Sequence, residues 1–310
     1  NIENTLIQSS KNHEDKVFRV SVISNGDGME IRRDFYLEKL IKRKNNGLIK
    51  VITGIRRCGK SYLLNNIFYH YLLDSGVKSD HIIRFAFDSA EDLYLIGESL
   101  IQIGKERRGV DPEKFMAYIR AKVTDDGMYY LLLDEIQMMD CFETVLNGYL
   151  RKENMDIFVT GSNAKLLSKD IATEFAGRGD EVHMYPLSFA EFMSVYQGDR
   201  YTGLAEYMLY GGIPLVVLRD GVDDKAALLQ NLFNEIYIQD ITKRNRVKNI
   251  GELEDLLNIL SSAIGSLTNP EKLRNTFKTV KRSRITANTI RKYIGYFEDS
   301  FLIESALLER

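Results

Sequence analysis

Hydrophobic positions fall into distinct patterns along the chain. From residue 47, short apolar runs alternate with amphipathic stretches. GLIKVITG (47–54), HIIRFAFD (81–88), MYYLLLDE (128–135), DIFVTGS (156–162) and EVHMYPL (181–187) read as strands. KSYLLNNIFYHYLLD (60–74), PEKFMAYIRAKV (112–123) and CFETVLNGYLR (141–151) carry apolar residues at helical spacing. Strands without polar alternation, separated by helices, predict an α/β fold with a parallel sheet covered on both faces. After Pro186 the strand pattern stops, and 189–196, 204–212 and 227–245 predict short helices.

A third pattern begins at Gly251, with helices expected over 251–264, about 270–279, and from Thr286 to about Asp299. The order is that of a helix-turn-helix. Thr286 suits an N-cap, with Ile290, Tyr293, Ile294 and Phe297 as the buried stripe and Arg291 and Lys292 projecting outward. FLIESALLER (301–310) reads as the start of a wing-like strand. Ahead of the sheet, MEIRRDFYLEKLIKRK (29–44) predicts an amphipathic helix with Phe35, Leu37, Leu40 and Ile41 on one face. Residues 1–28 are polar apart from VFRVSVI (17–23). They read either as an ordinary N-terminal arm or as an extension of other origin before a natural start at Met29. The expected division is 1–28, an N-terminal extension; 29–187, the α/β core; 188–250, a helical layer; and 251–310, the helix-turn-helix unit.

Composition narrows the class. Across 310 residues, 44% are hydrophobic and 28% charged, which excludes a collagenous, disulfide-dense or wholly disordered chain. No run of about 18 apolar residues is present to span a membrane. Cys58 and Cys141 make no disulfide framework and suit a reducing, cytoplasmic setting. The formal net charge is only −2. That total conceals an asymmetry: residues 241–292 hold twelve Lys and Arg against four Asp and Glu, a local +8 that leaves −10 for the rest. Such a basic stretch points to a polyanion partner, duplex DNA being the obvious one, or to a charged packing surface.

The chemistry collects at the ends of the strands. Gly54-Ile55-Arg56-Arg57-Cys58-Gly59-Lys60-Ser61 fits G-x-x-x-x-G-K-[ST], between an apolar strand and an amphipathic helix opening through Lys60, Ser61 and Tyr62. Its glycines let backbone N–H groups approach phosphate oxygens, and the helix N-terminus adds positive potential. Lys60 is placed to neutralise the β- and γ-phosphates and Ser61 to ligate Mg²⁺, so ATP and ADP with Mg²⁺ are the expected ligands. In Leu131-Leu132-Leu133-Asp134-Glu135 an apolar strand ends in two acids. Asp134 suits Mg²⁺ and Glu135 suits activation of the attacking water. In Thr160-Gly161-Ser162-Asn163, Asn163 can bind the attacking water or the γ-phosphate if its strand lies between the other two. The alternative makes Asn163 a helix cap. Cys58, inside the loop, is either a small filler or a thiol whose pKa the helix terminus lowers.

GIRRCGKS, LLLDEIQ, TGSNAKLL, AGRGDEVHMYPLSFAEF and YGGIPLVV, in that order, resemble the prokaryotic AAA-type ATPases that carry a C-terminal domain of unknown function. These are cousins of the signal-transduction (STAND) ATPases and the archaeal origin-binding ATPases. The resemblance covers about residues 30–310. It implies a P-loop NTPase core with the P-loop strand central in a five-stranded sheet, an adenine-side helical lid and a winged helix. It implies that Arg178 is an arginine finger acting on a neighbouring subunit of a homo-oligomer, where the residues alone allow a surface arginine. It implies that Pro214, in Gly212-Ile213-Pro214, packs near the adenine. Relatives usually continue into a nuclease-like domain, so the chain is expected to stop short of one. No clear lid arginine of the second-sensor type is visible. Two functions follow: an ATPase driving a conformational cycle, or a slow nucleotide-gated switch or DNA-binding module. A small-molecule kinase is disfavoured, because nothing resembles an acceptor lid.

Overall fold

The computed structural model describes residues 31–106, 108–161, 177–281 and 283–306. Five strands form one sheet: β1 (Ile49–Thr53), β2 (Ile82–Ala86), β3 (Tyr129–Asp134), β4 (Met155–Thr160) and β5 (Gly179–His183). Their order is β2-β3-β4-β1-β5, and every pairing is parallel. The P-loop strand β1 was expected at the centre. It stands fourth, and β4 is the middle strand. Partners on both sides still keep β1 fully buried, which explains why its residues are apolar apart from Lys50 and Thr53.

Alternation along the strands divides the core between the two faces. Val51, Leu131 and Val159 join one cluster with Phe85, Phe115 and Leu146. Ile52, Leu132 and Phe158 join another with Leu64, Phe68 and Leu40. The helix after the P-loop is continuous from Lys60 to Asp74, π-wound over Leu63–Phe68. At the opposite end of the sheet Lys50 and Asp156 are buried and bonded to each other, a polar pair inside two apolar-looking strands.

The N-terminal helix is shorter than expected, Asp34–Arg43, and its phase differs. Tyr36, Leu37 and Leu40 face inward, while Phe35 is 60% exposed beneath the Lys39 ammonium. Tyr36 and Leu40 lie four residues apart on one stripe, and Phe35 falls outside it. Two helices absent from the sequence reading, Ala90–Leu95 and Leu100–Glu106, follow β2.

Beyond β5 the chain is helical. Helices Phe189–Met193, Arg200–Tyr210 and Pro214–Val217 are followed by a long helical run. That run comprises Val222–Asn231, a π-wound segment Leu232–Ile238, and Gln239–Asn245. Helices Ile250–Ser262, Pro270–Thr276 (continued by Phe277–Lys281) and Ala287–Asp299 enclose a separate core of Leu253, Leu256, Leu273, Phe277, Ile290 and Phe297. Thr286 caps the last helix through the Thr289 N–H. Where a wing-like strand was expected, residues 301–306 form none, and 307–310 lie outside the described residues. Phe301 instead packs on His183 of β5, ring centroids 4.8 Å apart. Among the described residues no helix is long and apolar enough to cross a membrane.

Candidate nucleotide site

The loop after β1 curls because two glycines allow it. Gly54 has φ +135°, and a Cβ there would lie 2.0 Å from the Met184 carbonyl oxygen. Gly59, at φ +103°, turns the chain into the helix that starts at Lys60. The buried Lys60 ammonium donates to the carbonyls of Gly54 (2.9 Å) and Ile55 (3.0 Å). The thiol of Cys58 donates to the Met184 carbonyl at 3.4 Å. Burial pushes that thiol's pKa up, outweighing the opposing influence of Lys60 and Arg33. This corrects the expectation of a lowered pKa and makes Cys58 a packing residue.

Behind the loop, Asp134 at the end of β3 approaches the loop's serine. Ser61 lies near enough to Asp134 to hold its carboxyl pKa down against burial. The buried Thr160 hydroxyl also donates to Asp134, and accepts from the Glu135 N–H at 3.0 Å. Asn65 Nδ2 approaches Asp134 Oδ2 at 3.4 Å. Burial raises the Asp134 pKa above its ordinary value, against the hydrogen bonds of Thr160 and Ser61. Glu135 adopts a left-handed backbone, φ +52°, and its carboxylate accepts from Gln137 Nε2. Asp88, just past β2, is a third acid here, its pKa raised by burial and then by Glu135.

Lys60, Ser61, Asp88, Glu135 and Gln137 open onto one cleft of about 1000 Å³. Its polar lining includes Arg56, Arg57, Lys60, Ser61, Asp88, Glu135 and Arg244, and its apolar lining Ile31, Met184, Leu187, Pro214, Leu215 and Leu218. Tyr62 also borders it. Pro214 opens its short helix, and Gly212 lets that turn press on β5's extension: a Cβ at Gly212 would lie 2.1 Å from the Leu187 oxygen. Arg33, 3% exposed, ties three parts of the wall together. It donates to the Cys58 carbonyl (3.3 Å) and the Tyr185 carbonyl (2.6 Å), and pairs with Glu191 (3.0 Å).

Asn163 lies outside the described residues. Although its strand does lie between β1 and β3, the polar residue seen at that edge is Thr160. Arg178 is not brought to the cleft. It is exposed, and its carbonyl accepts from the Ile49 N–H at the start of β1, the end of the sheet away from the phosphate loop. Sequence reasoning also passed over Asp88, Arg33 and Arg244. A small polar residue closing an apolar strand was the available signal for Thr160; nothing local distinguishes Arg244.

Residues 46–193 match the model of the AAA domain, and residues 201–306 that of a domain of unknown function. An uncharacterized protein of Haemophilus influenzae is 36% identical over 282 residues, covering 89% of this chain. The chain belongs to the AAA-type P-loop ATPase family. An uncharacterized protein of Methanocaldococcus jannaschii is 29% identical over 289 residues, covering 88% of this chain. The chain spans 66% and 58% of the length of these two relatives. Among solved structures, a Walker-type ATPase of Pyrococcus abyssi shares the fold, with TM-score 0.54 and 16% identity, over 87% of this chain and 90% of that one. In this AAA-family chain, the hydroxyl of Ser61 and the carboxylate of Asp134 are oxygen donors of the kind a hard cation such as Mg²⁺ takes. Among the described residues no group of three or more His, Cys, Asp or Glu is arranged to hold a metal. A small hard cation that keeps its waters and takes phosphate oxygens needs no such cage.

Proposed function

We propose that this chain binds ATP with Mg²⁺ and hydrolyses it to ADP and phosphate. The observation that carries this reading is the single cleft onto which Lys60, Ser61 and Glu135 open, with the buried Asp134 close behind Ser61. The base lies against the apolar lining near Pro214, and the phosphates at the loop. Loop N–H groups and Lys60 hold the β- and γ-phosphates, the ammonium exchanging loop carbonyls for phosphate oxygens. Ser61 and Asp134 would hold Mg²⁺, which supplies charge neutralisation across the phosphates. Glu135, turned by its left-handed backbone and steadied by Gln137, takes the proton of the attacking water. The water oxygen bonds to the γ-phosphorus as the bond to the ADP oxygen breaks. Arg178, remote from its own cleft, would serve a neighbouring copy in a homo-oligomer.

A second reading is a slow nucleotide-gated switch or DNA-binding module. It is favoured by the basic 241–292 stretch and by Arg291 and Lys292, both exposed on the Ala287–Asp299 helix. Turnover separates the two. Phosphate release should vanish in Lys60→Ala and Glu135→Gln, with Glu135→Gln still binding ATP. Wild-type turnover in Glu135→Gln removes that residue as the base, and the absence of turnover in a wild-type protein that binds ATP favours the switch.

A further inference from the structure

Two arginines in the polar lining of the cleft share one carboxylate. Arg56 belongs to the phosphate loop and Arg244 to the Gln239–Asn245 helix, and both line the cleft. Asp240 Oδ1 lies 3.3 Å from Arg56 Nη2, and Asp240 Oδ2 lies 2.5 Å from Arg244 Nη2. The Tyr237 hydroxyl donates to the Arg56 carbonyl at 3.2 Å, so the same stretch of helix grips the loop twice.

The other side of that helix belongs elsewhere. Asp240 and Arg244 are four residues apart and share a face. Ile238 and Ile241 are 4% and 1% exposed and lie in the C-terminal core with Leu253, Leu273 and Phe297. One rigid helix therefore joins the phosphate loop to the C-terminal helices. Movement of Asp240 relative to the loop moves the C-terminal core with it.

A carboxylate between two guanidiniums reproduces what a phosphate group would accept from them. The geometry points to Asp240 as a stand-in for the terminal phosphate of a nucleoside triphosphate, a latch that holds Arg56 and Arg244 and surrenders them to bound triphosphate. The inference rests on the reading of the cleft as a triphosphate site and names how that site is regulated. A triphosphate brings more negative charge than one carboxylate, so both arginines transfer to it and the C-terminal helices come free of the loop. A diphosphate lacks the terminal group and leaves the latch closed. Coupling of this kind is reciprocal: removing the latch must strengthen triphosphate binding by the factor with which triphosphate weakens the latch.

The test is made on the whole chain with a non-hydrolysable ATP analogue and with ADP. Affinities are measured for wild type, Asp240→Asn, Arg244→Gln and Lys60→Ala, and hydrogen exchange is followed over residues 239–262. Asp240→Asn should bind the analogue about three- to tenfold more tightly, as expected for losing two partly exposed ion pairs, with ADP affinity changed less. Its exchange over 239–262 should be fast without ligand and indifferent to the analogue, whereas wild type should switch from slow to fast. Arg244→Gln, which leaves the Arg56–Asp240 pair in place, should bind the analogue more weakly while still exchanging slowly without ligand, and it carries the test should Asp240→Asn fail to fold. Wild-type or weaker analogue affinity in a folded Asp240→Asn, or a wild-type exchange pattern that the analogue leaves unchanged, overturns the latch alone. If wild type binds the analogue no better than Lys60→Ala, the triphosphate reading falls and the latch with it.

Discussion

Thr160 donates its hydroxyl hydrogen to Asp134 from the neighbouring strand, in a position without solvent exposure. The same oxygen accepts the Glu135 N–H. One side chain therefore orients both acids of β3, the one expected to hold Mg²⁺ and the one expected to activate water. Thr160→Val keeps the shape and removes both bonds. Turnover should fall about 10- to 100-fold with ATP affinity little changed, since sub-ångström misplacement of reacting groups is costly. Unfolding free energy should fall by about 1–3 kcal/mol, because a buried carboxylate and N–H lose their partner. Thr160→Ser should restore most of both. Steady-state phosphate release and urea unfolding are the measurements.

Asp134 costs stability where it sits. Burial raises its folded pKa above 3.8, so between 3.8 and the raised value the folded chain binds more protons than the unfolded one. Stability of the nucleotide-free and Mg²⁺-free protein therefore falls as pH rises through that window. Asp134→Asn should melt higher than wild type at pH 7, by about 2–4 °C for each kcal/mol relieved. The gain should shrink as pH falls toward 4, and turnover should be lost. A lower melting temperature for Asp134→Asn at pH 7 would contradict the assignment of burial as the dominant influence.

Arg178 precedes Gly179, which pairs with Ile49 at the start of β1, while the phosphate loop follows Thr53, which pairs with His183. The length of a strand, on the order of 16–20 Å, separates it from its own loop. Arg178→Ala should leave turnover unchanged in dilute, dissociated protein and lower it by about 10³-fold in the assembled form. Turnover measured against protein concentration checks this, and an unchanged rate in the assembly removes the finger role.

The basic helices make a separate prediction. Arg291→Glu combined with Lys292→Glu should weaken duplex DNA binding in a gel shift, and should reduce the steepness of its salt dependence by about two phosphate contacts. Failure of the wild-type chain to shift any duplex at low salt would leave the basic surface to packing between domains or copies.

The strand ends were legible because each is a local signal. An apolar run stopping at Gly54, at Asp134-Glu135 or at Thr160-Gly161 marks where a parallel sheet delivers chemistry. Phe35 was misread because a stripe of four apolar residues does not say which neighbour defines the face; the inward face is set by Tyr36. Lys50 and Asp156 were passed over because each looks like a lone polar interruption of a strand, and only the β1–β4 pairing makes them partners.

By itself the sequence determined the parallel α/β core, the phosphate loop and the acidic pair. Those depend on periodicities and turns spanning a few residues, and backbone geometry enforces them locally. The tertiary structure alone decided the strand order, the burial of Arg33 against Cys58 and Glu191, and the meeting of Arg56 with Asp240 and Arg244. Apart from the Asp240–Arg244 pair within one helix, these contacts join residues from 25 to 184 positions apart in the chain, and no local pattern encodes which distant side chains folding will bring within hydrogen-bonding distance.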